Sequence, residues 1–452
     1  MAQHFLTFCK RFAYHFRSKT RDSAPQSEQY LQGLMLARRK NMERMAEVVP
    51  GSNDQALQHF LSNSNWSDRA VLDQVALEAN ELLGGSTDSA LLIDESGFAK
   101  KGEKSVGVAR QWNGRLGKVE NSQVGVFSAL SNGAHTTLID VRLYLPAVWA
   151  NDKARCIAAG VPKAARECRA KANLALEMIR YNRELGVSFS WVAADGLYGK
   201  DPAFLRALDD DGEIFVVDVH KDQRIYLEDP EPVIPSTPNK RGRKRTRRVA
   251  QSKPITVEKW QQAQAEASWE VQTLRDSTRG KLQIEVLHRR VWLWDRKEEH
   301  ARQWHLIVRR ELTAKKEITY SLSNAPDSTP IPRLAQMQGQ RFWIERAFQD
   351  GKSHAGLGDY QARGWKAWHH HMALVMVAML FMLEQRMVVE EEHPLLSCAD
   401  VETLLAHFLP RRDTTVAEVI RQMEVRHQRR QAAIDHAYWK QTLSQTQAQT
   451  ET

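Results

Sequence analysis

Two short apolar runs, each ending in an aspartate, constrain the fold of this chain more than any other feature. The run at 89–94 reads SALLID, and the run at 189–195 reads FSWVAAD. Such runs are typical of strands that are buried on both faces of a sheet. Further strand-like segments lie at 123–130, 136–145 and 214–219, and helical segments lie at 169–185 and 201–208. This order predicts an α/β fold in which helices pack on a mixed sheet.

The acids that end the two runs predict a site at one edge of this sheet. If the two strands are neighbours, the carboxylates of Asp94 and Asp195 leave the sheet on the same side. Three other acids stay outside the predicted site. Glu95 follows Asp94 on a strand and therefore points to the opposite face. Asp140 and Asp218 also end strand-like runs, where they either support the site or are solvated.

A third acid lies on a late helix, predicted to run from 340 to 351. Arg341, Glu345 and Lys352 are spaced i, i+4 and i+11, which places them on one helix face. Such a row is commonly a surface ion-pair row. Next to two strand-end aspartates, however, Glu345 completes a set of three carboxylates. That donor set suits Mg²⁺ or Mn²⁺, and a pair of such ions can promote phosphodiester chemistry.

The 452 residues are enough for two or three domains. Residues 1–85 are predicted to form a helical domain, either a DNA-binding module or a plain helical bundle. The sheet and its helices occupy 86–220 and 319–390. A β-rich insertion with a proline-rich, basic linker separates them at 221–318. Residues 391–452 are predicted to form a C-terminal helical region with a polar tail.

The charge of the chain favours an acidic polymer as partner, with nucleic acid as the first candidate. The formal net charge is +9 and the isoelectric point is about 9.3. The block at 239–248 is either a solvated linker or a segment that follows phosphates. Lys118 closes a Gly-x-x-Gly-Lys turn, which lacks the spacing of a P-loop and is a candidate DNA contact. The predicted contacts in the block are Arg241, Arg243, Lys244, Arg245, Arg247 and Arg248.

The remaining composition predicts a reduced protein outside the membrane. The four cysteines show no C-x-x-C spacing, so they indicate neither a disulfide framework nor a zinc knuckle. The N-terminus lacks the apolar core of a signal peptide. The apolar run at 372–383 is too short to span a bilayer and is predicted to be a buried helix.

Four motifs together resemble the insertion-sequence transposases of the D-D-E type. They are LIDESG at 92–97, GxxGKxxNxQVGV at 114–126, ADGxYG at 194–199, and Arg341-x-x-x-Glu345 followed by six residues and Lys352. The resemblance spans about 85–390. Its last element resembles the Y-R-E-K signature of members that carry a β-rich insertion. The tyrosine of that signature falls on Gln338 here.

The resemblance implies an RNase H-like core in which Asp94, Asp195 and Glu345 bind two Mg²⁺ ions, with Mn²⁺ as a substitute. Arg341 and Lys352 would contact DNA. The implied activity is cleavage at transposon ends and joining of the 3′-hydroxyl to target DNA. The implied partners are the terminal repeats, target DNA and a second copy of the chain, in the bacterial cytoplasm at the nucleoid. The alternatives are an RNase H-like nuclease without strand transfer and a non-catalytic DNA-binding relative.

Overall fold

Ten described strands pair into one mixed sheet, and helices flank it, as the sequence predicts. The computed structural model describes residues 1–235, 246–277, 280–313 and 316–450. The strands are β1 Ser89–Ala99, β2 Ala109–Asn113, β3 Lys118–Asn132, β4 His135–Leu143, β5 Trp191–Ala194, β6 Phe215–Val219, β7 Arg224–Ile225, β8 Ile255–Thr256, β9 Glu270–Ser277, β10 Gly280–Leu293, β11 Arg302–Glu311 and β12 Ile318–Ser323. Of these, β7 and β8 form a separate two-stranded pair.

The helices come from the predicted helical segments and from the two ends of the chain. They are α1 Ala2–Arg11, α2 Ala24–Leu36, α3 Met42–Val48, α4 Asp54–Ser62, α5 Asp68–Leu83, α6 Ala147–Ala150, α7 Lys153–Ala158, α8 Lys171–Leu185, α9 Gly196–Gly199, α10 Pro202–Asp210, α11 Val257–Gln262, α12 Ile331–Gln340, α13 Phe342–His354, α14 Trp365–Val388, α15 Cys398–Phe408 and α16 Val416–Thr450.

Three parallel strands form the centre of the sheet. β1 pairs with β5, and β5 pairs with β6, all in the same direction. On one side β3 runs antiparallel to β1, and β2 and β4 both pair with β3. On the other side the order continues through β12, β11, β10 and β9 in antiparallel pairs. The parallel pairing ends at Ile93, Ala194 and Val217, which therefore lie next to one another, and β1 continues beyond this point to Ala99 along β3.

The burial of these strands agrees with their apolar sequences. Ser89 to Ile93 of β1 and all of β5 are buried. α14 is buried along most of its length, so the helix predicted at 372–383 is confirmed. Within the described part of the chain, α14 alone is long and apolar enough to cross a membrane. Because 78% of its apolar window is buried inside the protein, it matches the core helix of a folded domain.

The chain divides into two compact units. One unit comprises Met1–Phe60 and Glu402–Thr452, and the other comprises Leu61–Val401 and contains the whole sheet. In the first unit Lys40 is buried, and its ammonium group donates to the Leu34 carbonyl and to Glu402, both at 2.6 Å. The domain boundaries predicted at 85, 220, 318 and 390 stay predictions.

Two sequence interpretations of local structure are wrong in detail. The strand-like segments at 282–287 and 291–294 are separate in the sequence pattern but belong to one strand, β10, because Ile284–Leu293 pairs with β11 without a break. Trp294 lies just beyond the end of this strand. The late helix does not end at Gly351 but continues to His354. Gly351 lies in a tightly packed part of this helix, where a Cβ would lie 3.0 Å from the Met379 sulfur and 3.3 Å from Leu357.

Candidate active site

Three acids follow the parallel strands in register. The β1–β5 pairing places Ile93 opposite Ala194, and the β5–β6 pairing places Ala194 opposite Val217. The next residue along each strand is an aspartate. The sheet edge therefore presents three carboxylates in consecutive order, from Asp94, Asp195 and Asp218.

Local hydrogen bonds hold the first two carboxylates. Asp195 caps the short helix α9, where its Oδ1 accepts the Leu197 N–H at 3.0 Å. This bond fixes the side chain where the chain leaves β5. Oδ1 of Asp94 accepts the N–H of Glu95 at 2.7 Å. The carboxylate of Glu95 itself binds Lys171 at 2.7 Å.

Arg341 brings the late helix to this edge. It lies at the break between α12 and α13, and its side chain is 22% exposed. Its Nε is 2.9 Å from Oδ2 of Asp218, and its Nη1 is 3.1 Å from Oε1 of Glu345. The guanidinium group thus joins a strand-end acid to the helix acid.

A cavity of about 730 Å³ is lined by all the residues predicted for the core of the site. These are Asp94, Asp195, Glu345, Arg341 and Lys352. The structure therefore places the three predicted acids and the two predicted bases around one cavity. This agrees with the expectation that Asp94 and Asp195 leave the sheet on the same side.

The charges in this cavity are incompletely compensated. Burial raises the pKa of Asp94 to about 8, and the neighbouring charge of Asp195 adds to the rise. Burial also raises the pKa of Asp195, against the opposing effect of Arg341. Burial alone would lower the pKa of Arg341, but the surrounding carboxylates outweigh burial and raise it. Burial therefore dominates at both aspartates, while Arg341 opposes it by favouring their charged forms.

As the side chains stand, the acids do not form a closed metal cluster. Over the described ranges, no group of three His, Cys, Asp or Glu residues has an arrangement that could hold an ion. Glu345 is the outlying member, because its side chain is 52% exposed and it bonds to Arg341. Asp94 and Asp195 are the two acids that the sheet itself brings together.

The family follows from a comparison with known proteins. Residues 11–281 match the family model described as DDE superfamily endonuclease, which is more than half of the chain. The chain belongs to the DDE superfamily of endonucleases. The matched region contains Asp94 and Asp195 and ends before Glu345.

A curated relative and a solved structure complete the comparison. This DDE endonuclease is 26% identical over 330 residues to a "Probable transposase for insertion sequence element IS701" from Microchaete diplosiphon, covering 72% of this chain and 73% of that protein. The resemblance to insertion-sequence D-D-E transposases is therefore confirmed. The chain is also similar to the NurA nuclease from Sulfolobus solfataricus, at 10% identity and a TM-score of 0.28, covering 62% and 86% of the two chains. A structural similarity this weak supports no conclusion about the fold or function of this chain.

Behind Arg341 of this DDE endonuclease lies a chain of buried polar groups. Gln338, at the position of the signature tyrosine, donates from Nε2 to the Ser321 hydroxyl at 2.6 Å. That hydroxyl donates to Oδ1 of Asp218 at 2.5 Å. Since Oδ2 of Asp218 binds Arg341, the glutamine supports the arginine through two intermediate side chains.

The other predicted DNA contacts lie in different surroundings. The Lys352 ammonium lies 5.5 Å from the ring of Phe98 at the cavity. Lys118 is exposed on the β2–β3 hairpin and pairs with Glu120 at 3.1 Å. Arg247 is exposed, whereas Arg248 pairs with Glu299 at 2.8 Å. The predicted contacts Arg241, Arg243, Lys244 and Arg245 lie outside the described residues.

Three residues at the site were not assigned a role from the sequence. Glu95 was expected on the opposite face of its strand, but it lines the same cavity as Asp94. Asp218 was left as either supporting or solvated, and the structure shows it bound to Arg341. Its signal in the sequence was the same as that of Asp94, an acid after a buried apolar run. Trp112 lines the cavity and is 58% exposed, and its signal was an aromatic residue two positions before the Gly-x-x-Gly-Lys turn.

Proposed function

We propose that this chain is an insertion-sequence transposase with an RNase H-like core. In the proposed reaction it hydrolyses a phosphodiester bond at each end of its element, and the freed 3′-hydroxyl then attacks a phosphodiester bond of target DNA. The single observation that carries the proposal is the cavity that Asp94 and Asp195 share with Glu345. The sheet order β4-β3-β1-β5-β6, with β1, β5 and β6 parallel, supports the RNase H-like assignment.

The acids at the cavity fit a divalent cation. Asp94 and Asp195 are adjacent, partly buried oxygen donors, and burial raises the pKa of each carboxyl group. This is the environment that Mg²⁺ or Mn²⁺ favours. In the proposal Asp94, Asp195 and Glu345 bind two such ions. When bound, these ions would polarise the attacking and leaving oxygens of the phosphodiester.

The basic residues have a separate task in the proposal. Lys352 lines the cavity beside the acids, so its ammonium can bind a DNA phosphate and hold the scissile bond near them. Arg341 is held by Asp218 and Glu345, so its charge is shared between those carboxylates and any phosphate that enters. The proposed partners are the two terminal repeats, target DNA and a second copy of the chain in the cytoplasm.

The proposal is tested by an assay that separates cutting from joining. A plasmid carrying the coding sequence with its native flanking DNA is incubated with purified protein and Mg²⁺, and cleaved and joined products are scored separately. We expect both products from the wild type. We expect neither from Asp195→Asn, whose fold is checked by circular dichroism.

The outcomes distinguish the alternatives. Metal-dependent cleavage without joined products would replace the transposase by a nuclease. Equal activity of the wild type and Asp195→Asn would remove the site assignment. A wild type that binds this DNA but never cuts it, with either Mg²⁺ or Mn²⁺, would leave only a DNA-binding protein.

A further inference from the structure

The hairpin of β2 and β3 presents an unusual face beside the cavity. Trp112 pairs across the hairpin with Val119, and directly opposed residues of an antiparallel pair share a face. Arg110, two residues before Trp112, lies on that face too. Trp112 is 58% exposed and Val119 is 50% exposed. One face of the hairpin therefore combines an indole ring, an aliphatic side chain and a guanidinium group.

Packing does not account for Trp112. Tryptophan is a highly buried residue on average, because its large apolar ring gains the most from leaving water. Here more than half of the side chain faces solvent, although it lines the same cavity as Asp94 and Glu345. An exposed aromatic ring at the mouth of a charged cavity has the features of a ligand contact.

Cations lie on both faces of the hairpin near the ring. Arg110 is exposed on the face of Trp112, whereas Lys118 is exposed at the start of β3 on the opposite face. The pairing of Lys118 with Glu120 is between exposed groups, and such pairs are worth little. An aromatic ring beside a cation is an arrangement by which proteins bind single-stranded nucleic acid.

We propose that the hairpin face of Arg110, Trp112 and Val119 binds an unpaired stretch of DNA that leaves the cavity, with one base stacked on Trp112. This inference rests on the proposed function, because it places the DNA relative to the same acids. An unpaired strand is the occupant because the ring offers only a stacking surface, and the bases of a duplex already cover each other's faces. The phosphates of that strand lie towards Arg110.

The test compares two DNA probes in EDTA, so that metal-dependent cleavage cannot occur. One probe is a duplex, and the other is the same duplex with a single-stranded 3′ extension that contains the fluorescent base 2-aminopurine. Fluorescence anisotropy gives the dissociation constants. Quenching of 2-aminopurine reports stacking. The wild type should prefer the extended probe and quench its fluorescence.

The variants isolate the ring. Trp112→Ala should bind the extended probe about tenfold more weakly and lose the quenching, with unchanged affinity for the plain duplex. Trp112→Phe should restore most of both signals. The matched control is Trp439→Ala, since Trp439 in α16 is 56% exposed and should leave the preference intact. Arg110→Ala should weaken binding of the extended probe and lower its salt dependence.

The failures of the inference and of the proposed function differ. If Trp112→Ala keeps the preference and the quenching, or weakens both probes equally, the inference is wrong while the proposed function stands. If Trp439→Ala abolishes the preference as Trp112→Ala does, the hairpin is not the site. If the wild type binds neither probe, the proposed function fails and the inference fails with it.

Discussion

Because Arg341 is bound to Asp218, we expect Asp218 to affect metal binding, although it is not one of the proposed metal ligands. Arg341 is shared among four carboxylates, those of Asp94, Asp195, Asp218 and Glu345. Asp218→Asn keeps an oxygen that can accept the Arg341 N–H but removes the charge. The guanidinium then interacts more strongly with Asp94 and Asp195, where it competes with a divalent cation.

The magnitude follows from the geometry. The two side chains of the pair are 13% and 22% exposed, with an N–O distance of 2.9 Å. At an effective dielectric constant of about 20, unit charges about 4 Å apart attract by about 4 kcal/mol. If Asp218→Asn transfers about a third of that attraction to Asp94 and Asp195, the free energy of metal binding becomes less favourable by about 1.4 kcal/mol. Mn²⁺ should then bind about tenfold more weakly.

In the assay the DNA-free protein is titrated with Mn²⁺, and binding is measured by calorimetry or electron paramagnetic resonance. The free energy of unfolding, measured in parallel, should fall by about 1–3 kcal/mol, the range for a hydrogen bond to a charged group. Ser321→Ala is the matched variant. It removes one hydrogen bond from Asp218 without removing its charge, so it should change stability more than Mn²⁺ affinity.

A double-mutant cycle decides the mechanism. In an Arg341→Gln background, Asp218→Asn should change Mn²⁺ affinity less than twofold, because the competing guanidinium is gone. An undiminished effect in that background would mean that Asp218 acts on the cation directly, and the reasoning from Arg341 would be refuted. Unchanged Mn²⁺ affinity in the single variant would reduce Asp218 to a structural role.

Three more predictions concern the charges in and around the sheet. Because burial and Asp195 raise the pKa of Asp94 to about 8, the folded metal-free protein holds this proton more tightly than the unfolded chain does. Its free energy of unfolding should therefore fall as pH rises from about 4 to about 8. Asp94→Asn should flatten that fall in denaturant titrations, and an equally steep fall in the variant would contradict the assignment. Lys352→Ala should weaken DNA binding and lower its salt dependence by about one phosphate contact while leaving Mn²⁺ affinity nearly unchanged, and an unaltered salt slope would exclude the phosphate contact. Asp140→Ala should destabilise the protein by about 3–5 kcal/mol in thermal or denaturant unfolding, because it leaves Arg69 and Arg142 without their shared buried partner. A loss below about 1 kcal/mol would show that solvent already compensates these charges.

The strand-end acids could be located from sequence because the relevant signal is local. An apolar run that stops at a charged residue identified β5 and its end before Asp195. At Asp94 it identified the strand but not its end, because β1 continues to Ala99 along β3 and only its pairing with β5 stops at Ile93. The role of Asp218 could not be located in this way. Its strand carries the same signal, but its function depends on lying beside Asp195 and on Arg341 arriving from a distant helix. Both facts are properties of the tertiary structure.

Two local features were hidden for different physical reasons. The charged stretch at 288–290 interrupts the apolar pattern of β10, although backbone pairing with β11 continues through it. The spacing of apolar residues in a sequence reflects the burial of side chains. It does not reveal the backbone hydrogen bonds between strands. Gly351 has the usual signature of a helix end, yet it lies inside α13, where Met379 and Leu357 leave little space for a side chain. Only the packed structure distinguishes these two uses of glycine.

The balance of charge separates the candidate site from the structural ion pairs of the same protein. At Asp140 a fully buried carboxylate is held by two guanidinium groups, from Arg69 and Arg142, and Asp73 also pairs with Arg69, so two acids face two bases. At the candidate site four carboxylates act on the guanidinium of Arg341, and Lys352 is the other base that lines the cavity. A network that served only stability would not retain such an excess, since uncompensated buried charge costs several kcal/mol. The excess has a physical use if a cation enters the cavity. Burial and the charge of Asp195 raise the pKa of Asp94 to about 8, so a cation that binds Asp94 would take the place of a proton in the metal-free site.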